Sequence, residues 1–115
     1  MLKLHPSDVV SYKGFAMSVT SNISADKQLT IKIKGRFDFS THQDFRKAYE
    51  HVTNAKSFVV DLKETNYLDS SALGMLLLLR DHAGGDRADV RLENCSADVV
   101  KILAISNFAK LFHIG

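Results

Sequence analysis

A single cysteine, Cys95, leaves the chain without any internal disulfide, so its fold must rest on a packed core. Tryptophan is absent, and the one proline, Pro6, argues against a central strand beginning so early. Charge of one sign is scarce as well: 15 basic residues are spread among 13 acidic ones for a formal charge of +2. With no basic block, direct nucleic-acid binding is not expected. The longest apolar run, Ala72 to Leu79 with Gly74 inside it, is far shorter than the ~20 residues of a membrane-spanning helix. Residues 1–10 carry His5, Pro6 and Asp8 and lack the apolar centre of a signal peptide. A cytoplasmic protein without membrane insertion is therefore expected. Cys95, near the end of an expected strand, reads as a small half-buried residue instead of a reactive thiol.

What is present suits one domain. At 115 residues and 45% apolar composition the chain is long enough for a single real core and too short for two. Phe15, Met17 and Val19 alternate with small or polar residues, then Leu29, Ile31 and Ile33 alternate with Thr30, Lys32 and Lys34. Both stretches have the period of a half-buried strand, and the short polar link from Ser21 to Lys27 predicts an antiparallel hairpin. Ser40, three residues before Gln43, predicts a capping box for a helix from Thr41 to Val52, with Phe45, Ala48, Tyr49 and Val52 as its apolar stripe. Phe58 to Leu62 reads as a buried central strand. A helix from Ser71 to Ala83 follows, so apolar at Met75 to Leu79 that it should be wedged between neighbours, and Gly84-Gly85 should end it. Ala88, Val90 and Leu92 give a fourth strand, Ser96 caps a further helix, and a last helical turn surrounds Phe108, Leu111 and Phe112. The expected architecture is α/β, in the order β-β-α-β-α-β-α-α. It has a mixed, mostly parallel sheet of four to five strands, with about four helices mainly on one face.

The strand-to-helix junction Asn66 to Arg80 is where chemistry is most expected. If Asp69 or Ser70 caps the helix, Ser71 lies in its first turn, where free amides and the helix dipole favour an anion such as a phosphate. A hydrolase is excluded because Ser71 lacks the flanking glycines of a nucleophile elbow. The next histidine, His82, is 11 residues further along the same helix. That places it about 16 Å from Ser71 at about 1.5 Å per residue, too far for a general base. His5, His42, His51 and His113 are scattered, and with Cys95 they show no zinc-type spacing. Gly84-Gly85 follows a helix, whereas a nucleotide loop precedes one, so no metal and no cofactor is expected. Lys32, Lys34 and Arg36 share strand parity without interleaved aromatics and read as a solvated face that discourages edge pairing. Taken without further context, a serine at a helix start is a plain cap.

Asp69-Ser70-Ser71-Ala72-Leu73-Gly74, behind the strand Phe58 to Leu62, resembles the D-S-S-[GA]-L-G signature of STAS domains, the anti-sigma-factor antagonists of bacteria. Gly35-Arg36-Phe37-Asp38 is similar to that family's G-x-[LF]-D segment, and Ser96 to Phe112 to its closing helices. The resemblance covers about residues 11–114, and implies one STAS domain over 1–115. It implies that Ser71 is phosphorylated by an anti-sigma factor that is also a serine kinase. The unphosphorylated protein would bind that partner and release a sigma factor, and a serine phosphatase would restore it. Asp38, Asp69, Ser70, Ala72, Leu73 and Gly74 would form the partner-binding surface. Arg36 departs from the family, standing where many relatives carry an acid. Other STAS proteins work without phosphorylation, as subunits of lipid-transporting ABC complexes, and that is the alternative. The exposed first strand also offers an edge for a homodimer.

Overall fold

A computed structural model describes residues 18–115. The part of the first alternating stretch that includes Phe15 and Met17, and the reading of Pro6, fall outside these residues.

The hairpin forms as expected: β1 (Val19–Ile23) pairs antiparallel with β2 (Gln28–Ile33), Ser21 lying opposite Ile31. β1 runs further than the polarity of Ser21 and Asn22 suggested, because pairing with β2 satisfies its backbone whatever the side chains are. Next in sequence come β3 (Gly35–Phe37), α1 (His42–Tyr49), β4 (Ser57–Asp61) and β5 (Thr65–Leu68). They are followed by α2 (Ser70–His82), β6 (Val90–Glu93), α3 (Ala97–Ile105) and β7 (His113–Ile114). Five strands form one sheet in the order β1-β2-β4-β6-β7, antiparallel only at β1-β2, while β3 and β5 make a separate parallel pair. The fold is thus α/β with a mixed, mostly parallel sheet.

The inward faces of β2, β4 and β6 supply Leu29, Ile31, Ile33, Phe58, Val60, Val90 and Leu92 to the core, joined by Leu62 just after β4. The helices cover them with Phe45 and Tyr49, with Ala72, Met75, Leu76 and Leu79, and with Val99 and Leu103. Gly35, with φ +84, turns the chain out of β2, and its amide bonds Glu64 O at 2.8 Å, transferring pairing from the large sheet to β5. Buried Thr65 ties the two together by donating its hydroxyl to Ile33 O at 2.7 Å.

Several expectations are corrected. Among the described residues there are three α-helices, not four: residues 108–110 form a 3-10 turn, after which the chain adds β7 beside β6. β3, β5 and β7 are two to four residues long, too short to carry a periodic signal. The capping box at Ser40 does not form, because Asp38 takes the Ser40 amide and opens a 3-10 turn, Phe39–Thr41, ahead of α1. Thr41 then precedes α1 without a side-chain cap bond, and α1 ends at Tyr49. Nor is α2 wedged: Ala72, Met75, Leu76 and Leu79 face inward, whereas Leu77 and Leu78 are 41% and 55% exposed. Composition marked this helix as apolar all round, but it packs along a single stripe of i, i+3, i+4 and i+7 spacing. Its end behaves as expected, with Gly84 at φ +123 and Gly85 at φ +63.

Candidate functional site

The register Phe37 to Leu68 between β3 and β5 brings two aspartates side by side at the ends of the strands. Asp38 follows β3 and Asp69 follows β5, with the Asp69 amide 3.4 Å from Phe37 O. Each aspartate caps the turn after it. Asp69 Oδ1 accepts from the amides of Ser71 and Ala72 at 3.0 and 3.1 Å and from the Ser71 hydroxyl at 2.6 Å. Asp38 Oδ1 accepts from the Ser40 amide at 2.9 Å and the Ser40 hydroxyl at 2.5 Å. Of the two capping options open in the sequence, Asp69 is the one realised.

That choice alters the electrostatics of Ser71. The first amides of α2 are not free: Ser71 and Ala72 serve the Asp69 carboxylate, and Leu73 N donates to Asp69 O at 3.3 Å. An anion on Ser71 would find the dipole of α2 but would also meet a carboxylate already in place.

A third strand-borne charge completes the array. Arg36 Nε donates to Asp38 Oδ2 at 3.0 Å, and Arg36 Cζ lies 4.2 Å from the centroid of the Tyr67 ring. The bond to Asp38 raises the pKa of Arg36, with the nearby charge of Asp69 a smaller contribution. The Ser40 hydroxyl, and after it the Arg36 guanidinium, hold the Asp38 carboxyl below the usual carboxylate range. Arg36, Asp38, Tyr67 and Asp69 alternate with Phe37 and Leu68, so the four polar residues share the outer face while the other two enter the core.

Among the expected site residues, Ser70 and Gly74 are exposed and Asp38, Asp69, Ser71 and Leu73 are half-buried. Ala72 is different. At 0% exposure it supports the site from beneath and offers no surface to a partner. Gly74 has no intramolecular duty, since a Cβ there would meet nothing within 4 Å. The outward face of α2 runs Ser70, Gly74, Leu77, Leu78 and Asp81. Phe39, 73% exposed in the neighbouring turn, stacks on His42 with centroids 5.7 Å apart. The sequence does not mark Phe39 or Tyr67 as surface residues, because nothing local shows that a lone aromatic is exposed.

His82 lies at the far end of α2 from Ser71, with Nε2 2.9 Å from Val52 O and its ring edge-on to Tyr49. Burial pushes the Cys95 thiol up, away from the reactive thiolate. Among the described residues, no group of three or more His, Cys, Asp or Glu could hold a metal ion, and no helix is long and apolar enough to cross a membrane.

Comparison with known proteins gives this arrangement its family. The family model described as Mlab, STAS domain matches residues 22–113, and the chain belongs to the STAS-domain family. A STAS-domain-containing protein of Pseudomonas aeruginosa (strain UCBPP-PA14) is 64% identical over 101 residues, covering 86% of this chain and all of the relative. Among solved structures, the anti-sigma factor antagonist SpoIIAA of Bacillus in its unphosphorylated form matches with a TM-score of 0.66 at 14% identity, covering 84% of this chain and 86% of that one. Its phosphorylated form matches with a TM-score of 0.56 at 15% identity, covering 84% and 90%. A sulfate transporter family protein of Wolinella succinogenes also matches, with a TM-score of 0.66 at 12% identity over 80% of both chains. At such identities these likenesses establish the fold.

Proposed function

We propose that the protein is a cytoplasmic anti-sigma-factor antagonist, without enzymatic activity of its own, whose binding is switched by phosphorylation of Ser71. The observation that carries this reading is the Ser71 hydroxyl itself, held by Asp69 at 2.6 Å in the first turn of α2 beside an exposed face with no side chain at Gly74. A glycine inside a helix costs about 1 kcal/mol relative to alanine. With no packing reason inside the domain, that cost is consistent with the close approach of a partner's backbone. The existence of a phosphorylated form of SpoIIAA, a protein of the same fold, supports the same reading.

The partner is a serine kinase that is also the anti-sigma factor. It transfers the γ-phosphoryl group of ATP to Ser71 Oγ, releasing ADP and the hydroxyl proton, and a serine phosphatase removes the group by hydrolysis. Phosphorylation adds about −1.5 to −2 charges. It also removes the proton that Ser71 donates to Asp69. A shift of about 3 kcal/mol in binding changes affinity more than a hundredfold, so no large conformational change is needed. Asp38, Asp69, Ser70, Leu73 and Gly74 form the docking surface, with Ala72 below it.

Pull-down of the native protein identifies the kinase, and mass spectrometry after incubation with that kinase and ATP maps the phosphate. Modification at Ser71, and binding by Ser71→Ala that ATP no longer reverses, is the expected result. Phosphate only at other residues overturns the proposal. A second reading, with which the Mlab description of the matching family model agrees, is a STAS subunit of an ABC lipid-transport complex. Co-purification with an ABC ATPase, indifferent to Ser71→Ala, would establish it instead.

A further inference from the structure

The amides that would ordinarily receive an anion at the start of α2 are already taken by Asp69. A phosphate on Ser71 therefore has to find its counter-charge elsewhere, and it also stands beside the Asp69 carboxylate. The outer face of the β3-β5 ladder presents a suitable cation. Arg36 pairs in register with Tyr67, and its guanidinium leans across the ladder onto the Tyr67 ring. Tyr67 lies two residues before Asp69 on the same strand face, so Arg36 leans toward the side of the site that carries Ser71.

Release from the present partner is cheap. Arg36 holds only Oδ2 of Asp38, whereas Oδ1 remains bound to the Ser40 amide and hydroxyl. The Arg36 side chain is 64% exposed, so water can replace it at Asp38. A planar, two-pronged guanidinium suits a dianionic phosphate better than a single carboxylate oxygen.

We propose that Arg36 is the phosphate-reading residue of this switch: when Ser71 is phosphorylated, the guanidinium leaves Asp38 and pairs with the phosphate oxygens. This rests on Ser71 being the phosphoacceptor. The domain then changes surface in two places at once, gaining an anion at Ser71 and losing a cation from beside Asp38. A partner that docks on both senses a larger difference than the phosphate alone would give.

The test installs phosphoserine at position 71 by genetic encoding, so the phosphate is present whether or not any kinase delivers it. A phosphorus NMR titration then reads its second ionisation, ordinarily near pKa ~6. The groups bearing on it are the charges of Arg36 and Asp38 from the β3 side and of Asp69 from the β5 side, with the neutral Tyr67 ring beneath Arg36. His42 stacks on Phe39 in the neighbouring turn, so the measurement is repeated with His42→Gln. The intact phosphoprotein should titrate about half a unit to one unit lower than its Arg36→Gln variant, with Arg36→Lys between them. Equal values for the parent and Arg36→Gln phosphoproteins, both folded by circular dichroism, overturn the proposal. Failure of a kinase to modify Ser71 would instead count against the functional reading and leave this titration interpretable.

Discussion

The two turns Asp38-Phe39-Ser40 and Asp69-Ser70-Ser71 are built alike, each an aspartate at the end of a parallel strand accepting from the amide and hydroxyl of the serine two residues on. What they start is not alike. Asp38 opens a single 3-10 turn before an eight-residue helix, whereas Asp69 caps a helix of 13 residues directly. Ser40 is exposed and Ser71 half-buried, and the residue between aspartate and serine is a large exposed aromatic in one turn and a small serine in the other. The same local hydrogen bonding thus gives a simple chain reversal where the following helix is short. Where the following helix is long and anchored in the core, it gives a rigidly presented hydroxyl. The difference lies in what each turn is attached to.

Removing each cap in turn is the strongest way to test that contrast. Asp69→Ala deprives the Ser71 amide and hydroxyl of their acceptor and leaves the Ala72 amide only the Asp69 carbonyl at 3.1 Å, and should lower unfolding free energy in urea by about 1–2 kcal/mol. Asp38→Ala should cost less, because its capping oxygen serves one backbone amide, at the head of a single 3-10 turn, whereas that of Asp69 serves two. Equal losses would mean that the two turns matter equally to stability and that the length of the following helix is irrelevant.

How far the sequence discloses this site follows from the range of the interactions. The capping aspartate, the first-turn Ser71 and the glycine stop at Gly84-Gly85 depend on neighbours within a few residues, so composition and spacing suffice. Arg36 on Tyr67 depends on the register of two strands that are three and four residues long and separated by a helix and another strand. No periodicity announces such strands. The orientation of α2 is a further case: Leu76 and Leu77 are alike in sequence, yet one is fully buried and the other 41% exposed. Only the placement of the sheet below decides which stripe of an all-apolar helix turns inward. The Ser40 capping box shows the converse, a valid local motif displaced by Asp38, which reaches the same amide first.

Gly74 sharpens the comparison from the side of the helix. It interrupts the apolar run of α2, yet there is open space where its Cβ would lie. Gly74→Ala should therefore raise the stability of the free domain by roughly 0.5–1 kcal/mol, measured by urea denaturation. The same change should weaken capture of the kinase partner in the pull-down described above. A stabilised variant that binds undiminished would remove the argument that this glycine serves a docking surface.

The smallest expected effect separates the two contributions to Asp38. Its pKa is depressed in the folded protein, first by the Ser40 hydroxyl and then by Arg36. A group whose folded pKa is lowered contributes stability that is fully present above its unfolded value, about 3.9, and is lost as pH falls through the folded value. Asp38→Asn should therefore lose this contribution near neutrality and converge with the parent at acid pH, so that the acid limb of its stability curve is shallower. A carbon NMR titration of the Asp38 carboxyl should show Ser40→Ala raising its pKa more than Arg36→Gln does. If Arg36→Gln had the larger effect, the ion pair and not the Asp-x-Ser turn would dominate this carboxylate. Release of Arg36 to a phosphate would then let the Asp38 carboxyl rise further toward its ordinary range.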